Sequence, residues 1–252
     1  MIENIVQKIY TLYKKIYVKI AFILINKNLL NIIKQISEKE LIRTTTEYNI
    51  LQFIKSYQKI LKNNIYASFV ECGVWKGTYL IIIKKLNENY KLNLPVYGYD
   101  TFEGTPKPKK ENIKLNIDLY GNPLDDLYEK RKLNNNKSGW NSMSEQEVRQ
   151  NIKDNVENAD NIILVKGNIE ATLNYEENLP KEISILKIDT VLYESYKASF
   201  EKLAPRIVKN GIIICDNYFT YPGVKKATDE FLLNKNLKVV FNRFSRNATI
   251  YL

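Results

Sequence analysis

The sequence predicts an α/β protein with a doubly wound, mostly parallel seven-stranded sheet, an antiparallel last strand and an N-terminal helical extension. Short apolar segments alternate with segments of helical periodicity from residue 67 to residue 233, which is the pattern of a parallel sheet covered by helices. The last two apolar segments are joined by a short polar turn without a helix, which predicts a hairpin. The first 40 residues show apolar residues at helical spacing between lysines.

The first predicted strand and the turn after it organise the rest of the chain. Ala67–Cys72 is short and mostly apolar, as expected for a strand buried on both faces of a parallel sheet. Gly73 permits a tight turn and close approach by a ligand, and a helix can begin at Thr78. Such a junction presents backbone N–H groups at the carboxyl edge of the sheet, where open α/β folds bind ligands. An ordinary strand–turn–helix corner has the same pattern, so this stretch alone does not distinguish a ligand-binding turn from a structural one.

Strands and helices then follow in alternation. The further predicted strands are Leu94–Asp100, Asn161–Lys166, Ile183–Asp189 and Gly211–Asp216, with hairpin strands at Leu237–Phe241 and Ala248–Leu252. The predicted helices between them are Ser144–Asn155, Ser195–Leu203 and Gly223–Leu233. Because the strands of a hairpin run in opposite directions, the last strand is expected to enter the sheet antiparallel.

Residues 1–45 are predicted to form a basic amphipathic helical extension to a main domain at 46–252. Apolar residues recur there at helical spacing with lysines between them: Ile5, Ile9, Leu12 and Ile16. A helix packed on its own domain is favoured, and a dimer-forming or partner-binding helix and a helix on an anionic membrane surface are the alternatives. The next helix is predicted from Thr46 to Lys62, with Thr45 or Thr46 as its N-cap.

The composition narrows the chemistry mainly through what it lacks. The 252 residues include no histidine, which excludes Ser-His and Cys-His nucleophile pairs, histidine-ligated metals and a histidine base. Cys72 and Cys215 fall at the ends of predicted strands, and buried free thiols are typical of a cytosolic protein. No signal peptide is evident, so a cytoplasmic location is expected, with the inner membrane face as a further option. The net charge of +10 is interpreted as a solvated lysine surface.

The alternation fails between residues 105 and 143. Prolines, lysines and asparagines dominate this segment, as in Lys107–Lys110 and Leu133–Lys137. A long irregular segment inside a compact domain is usually a lid, a binding loop or disorder. Because the segment follows the second strand, it is predicted to lie over the ligand edge of the sheet as a lid.

Polar residues end the predicted parallel strands. Glu71 lies at the end of the first strand, and Asp100 ends the second, 23 residues after Gly77. An acidic side chain about 20 residues past a glycine turn is well placed to accept hydrogen bonds from ribose hydroxyls, although a helix N-cap could use the same residue. Gly167–Ile169 follows the third strand and could line an adenine pocket, with a plain turn as an equal alternative.

The fourth and fifth strands end in a set of oxygen donors. Asp189 ends one strand, and Asp216 and Asn217 end the other. Two carboxylates and an amide from neighbouring strand ends suit a hard cation such as Mg²⁺. Singly, these residues could equally cap a helix and form a turn, but the presence of three donors at adjacent strand ends favours a metal site.

Taken together, these motifs resemble the class I S-adenosylmethionine-dependent methyltransferases, and specifically the macrocin O-methyltransferase (TylF/MycF) family. The resemblance covers roughly residues 44–252 and implies a Rossmann-like methyltransferase domain. It is carried by five motifs in order, namely Phe69–Gly77, Tyr99–Pro106, Ser144–Asn151, Leu192–Ser195 and Gly211–Tyr218.

The resemblance assigns roles to residues of this chain. It implies that S-adenosylmethionine is bound by Glu71, Gly73, Trp75, Gly77, Asp100, Thr101, Phe102, Asn168, Ile169 and Asp189. It also implies that Mg²⁺ is held by Asp189, Asp216 and Asn217, with Asp189 as the catalytic residue. The Asp-Asn pair is similar to that of catechol-type O-methyltransferases, whereas macrocin-type enzymes usually show Asp-Asp.

One position departs from the family pattern Asp-x-Asp-Leu-Tyr-Glu-Ser, in which the second Asp is the proposed general base. Val191 stands in its place, and Leu192 stands where catechol-type enzymes have a lysine. The expected function is metal-dependent methylation of a hydroxyl of a sugar or polyhydroxylated metabolite, by a homo-oligomer. A catalytically weakened S-adenosylmethionine-binding protein is the alternative.

Two further classes are disfavoured by missing motifs. Amino-methylating nucleic-acid enzymes usually carry an Asn/Asp-Pro-Pro-aromatic run after the fourth strand, and Asp189–Leu192 does not match it. A nicotinamide oxidoreductase would show G-x-G-x-x-G at the first turn, which is absent here.

Overall fold

Seven strands form one sheet in the structure, a computed structural model that describes residues 2–40, 43–133 and 138–252. The strands are β1 (Ser68–Cys72), β2 (Val96–Asp100), β3 (Ile162–Lys166), β4 (Ile183–Ile188), β5 (Ile207–Cys215), β6 (Lys238–Asn242) and β7 (Asn247–Tyr251). Their order is β3-β2-β1-β4-β5-β7-β6, with β1 to β5 parallel and β7 antiparallel to both β5 and β6. The predicted doubly wound sheet with an antiparallel last strand is confirmed.

The carboxyl ends of the central parallel strands meet at one edge of the sheet. Cys72 at the end of β1 pairs with Tyr99 of β2 and with Ile188 of β4, and Ile188 pairs with Cys215 of β5. Because β1 lies between β2 and β4, the strand order reverses beside it, and open α/β sheets bind ligands at such a point. The sheet therefore positions a ligand crevice at the turn that begins with Gly73.

Helices cover both faces of the sheet. They are α1 (Ile2–Leu24), α2 (Lys27–Glu38), α3 (Glu47–Lys62), α4 (Thr78–Asn89), α5 (Leu124–Arg131), α6 (Glu145–Lys153), α7 (Ile169–Thr172), α8 (Tyr193–Lys202) and α9 (Pro222–Leu232). One apolar cluster joins α2, α3, α4 and α6 to one face, and a second joins α7, α8 and α9 to the other. Phe69 and Val70 belong to different clusters, because successive side chains of a strand point to opposite faces.

The N-terminal extension consists of two helices, α1 and α2. The chain breaks between them because Asn26 caps α2, its side chain accepting a hydrogen bond from the N–H of Asn28 at 2.8 Å. One face of α1 packs on α3, where Val18 is buried and the Tyr17 hydroxyl accepts a hydrogen bond from Gln52 at 3.2 Å. No helix in the described part of the chain is both long and apolar enough to span a bilayer.

Strand β5 begins four residues before the predicted start at Gly211. The prediction began too late because a polar stretch interrupts the apolar pattern of the strand. The register of the β4–β5 pairing shifts between Ile183 and Ile185, which marks an irregularity in the ladder. A Cβ on Gly211 would lie 2.4 Å from the side chain of Ile207, so the local bend requires glycine. The irregular pairing explains how Lys209 and Asn210 fit within a strand whose later residues are all buried.

The lid segment, residues 105–143, has more regular structure than the sequence predicted. It contains a 3₁₀ turn at Lys110–Asn112 and helix α5, on which Leu124 and Tyr128 are buried one turn apart. A helix of eight residues with few apolar side chains gives only a weak periodic signal, which is why the prediction missed it. Residues 134–137 of the predicted asparagine-rich run lie outside the described residues.

The carboxylate of Glu194 on α8 fixes the lid segment to the domain. It accepts hydrogen bonds from the N–H of Lys109 at 2.9 Å and from the side-chain amides of Asn112 at 3.2 Å and Asn116 at 2.9 Å. The Asn116 side chain in turn accepts a hydrogen bond from the N–H of Tyr193 at 2.9 Å. The Leu192–Ser195 motif thus ties the lid segment to the beginning of α8.

Candidate active site

The turn after β1 is built around the carboxylate of Asp100. Its Oδ2 accepts hydrogen bonds from the N–H groups of Val74 at 2.7 Å and Trp75 at 2.9 Å, and its Oδ1 accepts one from Phe102 at 2.9 Å. Asp100 therefore joins the ends of β1 and β2 and does not cap a helix. Gly73 has φ of +88°, and a Cβ there would lie 2.7 Å from the carbonyl oxygen of Asp189, so the turn requires glycine.

A cavity of about 250 Å³ opens at this edge of the sheet. It is lined by residues that follow all five parallel strands, so the fold brings together positions far apart in the chain. The predicted site residues that line it are Glu71, Gly73, Trp75, Asp100, Thr101, Asn168, Ile169, Asp189 and Asn217. The cavity is also lined by Thr105 and Pro106, so the lid segment borders the ligand edge of the sheet.

Three predicted site residues are not among the described residues that line the cavity: Gly77, Phe102 and Asp216. Gly77 has φ of +81° at the start of α4, and a Cβ there would lie 3.2 Å from Val148 of α6. Its place in the motif is therefore explained by close packing of two helices. Phe102 is buried in the core cluster below the turn. Asp216 contacts the buried side chain described next.

Lys187 joins the carboxylates at the ends of β1, β4 and β5, and sequence reasoning missed it. Its side chain is 1% exposed, and its ammonium contacts Asp189, lies 3.2 Å from Asp216 Oδ2 and lies 3.6 Å from Glu71 Oε1. The ammonium also lies 4.2 Å from the centre of the Tyr79 ring. The sequence does contain a signal for this role. A lysine inside an apolar strand indicates a buried ammonium, which needs acidic partners, and Asp189 follows two residues later.

This cluster shifts the pKa values of its members. Burial raises the pKa of Glu71 well above its usual range, and the nearby Lys187 ammonium only partly opposes that effect. Burial, together with the charge of Asp216, raises the pKa of Asp189 to about 7. Burial alone would lower the pKa of Lys187, but the carboxylates of Asp189, Asp216 and Glu71 raise it well above its usual value. Lys187 therefore stays charged at physiological pH.

The predicted metal ligands lie close together at the ends of β4 and β5. Asp189 Oδ1 accepts a hydrogen bond from the Asn217 side chain at 3.1 Å, and Asp216 Oδ1 accepts one from the Asn217 N–H at 2.9 Å. The carboxylates are 29% and 18% exposed and share one cation, the ammonium of Lys187. Across the described residues no group of three or more Asp, Glu or Cys side chains is arranged to hold a metal ion. Two carboxylates and one amide are donors of the type that a hard cation prefers.

The position of the missing general base lies in an apolar environment. Val191 is buried in a cluster with Leu124, Trp140 and Leu192, so the lid segment covers it. Tyr221 packs against the same cluster and also lines the cavity, and burial raises the pKa of its hydroxyl. In the described structure the side chain of residue 191 therefore supplies packing at this point of the pocket and no proton acceptor.

The strand order and the pocket at its reversal point define a Rossmann-like fold with a site for a nucleotide-type cofactor. The sequence profile of the macrocin O-methyltransferase (TylF) family matches residues 44–251. The chain belongs to this family, which confirms the resemblance found in the motifs.

Individual relatives are more distant. The chain is 25% identical over 185 residues to the demethyldecarbamoylnovobiocin O-methyltransferase of Streptomyces niveus, and the match covers 73% of this chain but only 63% of that protein. The structure is similar to that of the O-methyltransferase NovP, with a TM-score of 0.69, 20% identity and coverage of 82% and 79% of the two chains. It is also similar to the calicheamicin methyltransferase CalS11, with a TM-score of 0.60, 17% identity and coverage of 89% and 91%. At these identities the two structures support the fold.

Proposed function

We propose that this protein transfers a methyl group from S-adenosylmethionine to a hydroxyl of a sugar or polyhydroxylated metabolite. The observation that carries the proposal is one cavity shared by Asp100, at the turn after β1, and Asp189, at the end of β4. In this proposal Asp100 contacts the cofactor and Asp189 holds the acceptor hydroxyl. Family membership supplies the reaction type.

The cofactor end of the cavity offers partners for each part of an adenosyl group. In the proposal, Asp100 Oδ1, which accepts one backbone N–H bond, and the Thr101 hydroxyl would accept hydrogen bonds from ribose hydroxyls. Asn168 and Ile169 would present an amide and an apolar surface to a base. Glu71 Oε2 is buried and has no hydrogen-bond partner among the described residues. Leaving such an atom unpaired is costly, and a donor on the cofactor would remove that cost.

The acceptor end of the cavity is mixed in character. Asn217, Thr190 and Tyr221 present polar groups there, and Val191 and Leu192 present apolar ones. Thr190 Oγ1 is buried without a hydrogen-bond partner among the described residues, so it is available to a substrate hydroxyl. CalS11 is a TDP-rhamnose 3′-O-methyltransferase, and a nucleotide sugar or surface-glycan unit is the substrate class that we propose for this chain.

We include Mg²⁺ in the proposal, with Asp189, Asp216 and Asn217 as the residues that would hold it. The ion would lower the pKa of a substrate hydroxyl and fix its geometry, which reduces the need for a base at position 191. Lys187 keeps the Asp189 and Asp216 carboxylates together and compensates part of their charge. Asp189 would orient the hydroxyl for in-line attack on the methyl group.

The test uses the full chain with methyl-labelled S-adenosylmethionine and a panel of TDP- and UDP-hexoses. Label in an ether-linked methyl of a sugar supports the proposed function, and no label in any acceptor while the cofactor binds would argue for a binding protein. The metal is tested separately by titrating Mn²⁺ into chelator-treated protein and following its electron paramagnetic resonance signal. Binding should be lost in Asp216→Asn and kept in Asp229→Asn, a control outside the cavity. Equal turnover with and without chelator would reject the metal.

A further inference from the structure

The outward face of α1 carries an apolar stripe that the fold leaves uncovered. The outer stripe consists of Leu12, Ile16, Ile20 and Ile23, which are between 48% and 82% exposed. Their spacing of four, four and three residues places them on one side of the helix. The opposite side is the one that packs on α3 through Tyr17 and Val18, so α1 is docked and still presents a row of large apolar side chains.

The charge around this stripe has a single sign. From Asn4 to Ser37 the sequence contains six lysines and no Asp or Glu. Lys15 and Lys19 follow Leu12 and Ile16 by three residues, so they lie along one edge of the outer stripe, and both are exposed. Long lysine side chains at the edge of an apolar helix face are typical of helices that lie in the headgroup region of a bilayer.

We infer that the outer stripe and its lysine edge bind the surface of an anionic lipid bilayer, with α1 lying in the plane of the headgroups. Lipid phosphates would neutralise the lysines, while the stripe would enter the boundary with the acyl chains. A second copy of the extension is a poorer occupant, because the stretch carries no carboxylate to pair with the lysines of its partner. The inference stands whether or not the proposed function is correct.

The test is vesicle flotation of the full chain. Vesicles of phosphatidylcholine alone are compared with vesicles that also contain phosphatidylglycerol, at low and high salt. Two variants probe the face, Lys15→Glu/Lys19→Glu for its charge and Ile16→Ser/Ile20→Ser for its apolar surface. The matched controls are Lys181→Glu/Lys209→Glu and Leu233→Ser, which change exposed residues elsewhere by the same chemistry. All the changed side chains are exposed, so the variants should fold like the wild type, and circular dichroism checks that they do.

We expect binding to the anionic vesicles only, weakened at high salt. Each face variant should weaken it about tenfold or more, and the controls should bind like the wild type. Absence of binding, or binding that both face variants leave unchanged, would overturn the inference. Light scattering without vesicles tests whether a second copy covers the outer stripe instead. A dimer that Ile16→Ser/Ile20→Ser converts to a monomer would overturn the inference and assign the outer stripe to a second copy.

Discussion

Lys187 and Asp216 face each other across the β4–β5 pairing, with 3.2 Å between the ammonium and the carboxylate. The same ammonium contacts Asp189, so one buried cation supports both acidic side chains of the pocket rim. Replacing it by Lys187→Met would leave these carboxylates without their counter-ion. We predict a loss of about 3–5 kcal/mol in the free energy of unfolding, measured by urea denaturation.

Lys84 provides the matched control for that variant. It is as buried as Lys187, at 2% exposed, but its ammonium binds the carbonyl oxygen of Asp160 at 2.8 Å and forms no ion pair with a described residue. Lys84→Met therefore strands no charge, and it should cost less than Lys187→Met. Equal losses in the two variants would show that packing of the side chain, rather than charge compensation, stabilises this part of the sheet.

Glu194 is predicted to keep the lid segment on the domain. Glu194→Gln replaces an acceptor oxygen by an NH₂ group that faces the N–H donors of Lys109, Asn112 and Asn116. We expect the free energy of local unfolding of the lid segment to fall by about 1.5–3 kcal/mol, and tryptic cleavage between residues 105 and 133 to become faster. Glu201→Gln, at an exposed position on the same helix, should be cleaved at the wild-type rate. Identical cleavage of both variants would show that Glu194 does not anchor the segment.

Gly104 and Gly121 have nearly the same backbone conformation but differ in the space available for a side chain. Their φ angles are +85° and +83°, but a Cβ on Gly104 would lie 2.1 Å from the carbonyl oxygen of Ser138, whereas one on Gly121 would meet nothing within 4 Å. Gly121→Ala should cost only the strain, about 1–2 kcal/mol. Gly104→Ala should cost about 1–3 kcal/mol more, through displacement of Ser138. Thermal unfolding of both variants checks the difference, and equal melting temperatures would refute it.

Val191→Asp tests whether the chain is an enzyme that works without the usual base. The new carboxyl would lie among Leu124, Trp140 and Leu192, and burying it there should cost at least about 1–3 kcal/mol. We predict that kcat for methyl transfer does not rise, with Val191→Thr as the control of similar shape. A large increase in kcat for Val191→Asp alone would instead indicate a weakened enzyme that has lost its base.

The sequence predicted the sheet because its signals are local and repeated. Apolar strands ending in Glu71, Asp100, Asp189 and Asp216, with helical periods between them, leave few other topologies. The same logic predicted that the candidate site residues meet at one edge, and most of them line one cavity there, since carboxyl ends of parallel strands meet at that edge. Helix α3 was also predicted, and its N-cap, Thr46, is one of the two threonines proposed for that position, because capping is a local property.

The roles of individual side chains were harder to predict, because they depend on contacts between distant segments. Lys187 was missed as the partner of three carboxylates, and Glu194 as the anchor of the lid segment, since each binds residues from other elements. Gly77 and Phe102 belong to the cofactor motif but serve packing, which only the positions of Val148 and the core reveal. Motif membership therefore identified the neighbourhood of the site more reliably than it identified the side chains that line it.

In the proposed reaction Asp189 holds the acceptor hydroxyl beside the bound cofactor. The most direct measurement compares methyl transfer by Asp189→Asn and by the wild type at saturating cofactor, with S-adenosylhomocysteine affinity measured by calorimetry on both. For Asp189→Asn we expect a rate about 10²–10⁴ lower and a cofactor-product affinity changed by less than about tenfold. A wild-type rate in Asp189→Asn, with the same affinity, would contradict this role of Asp189.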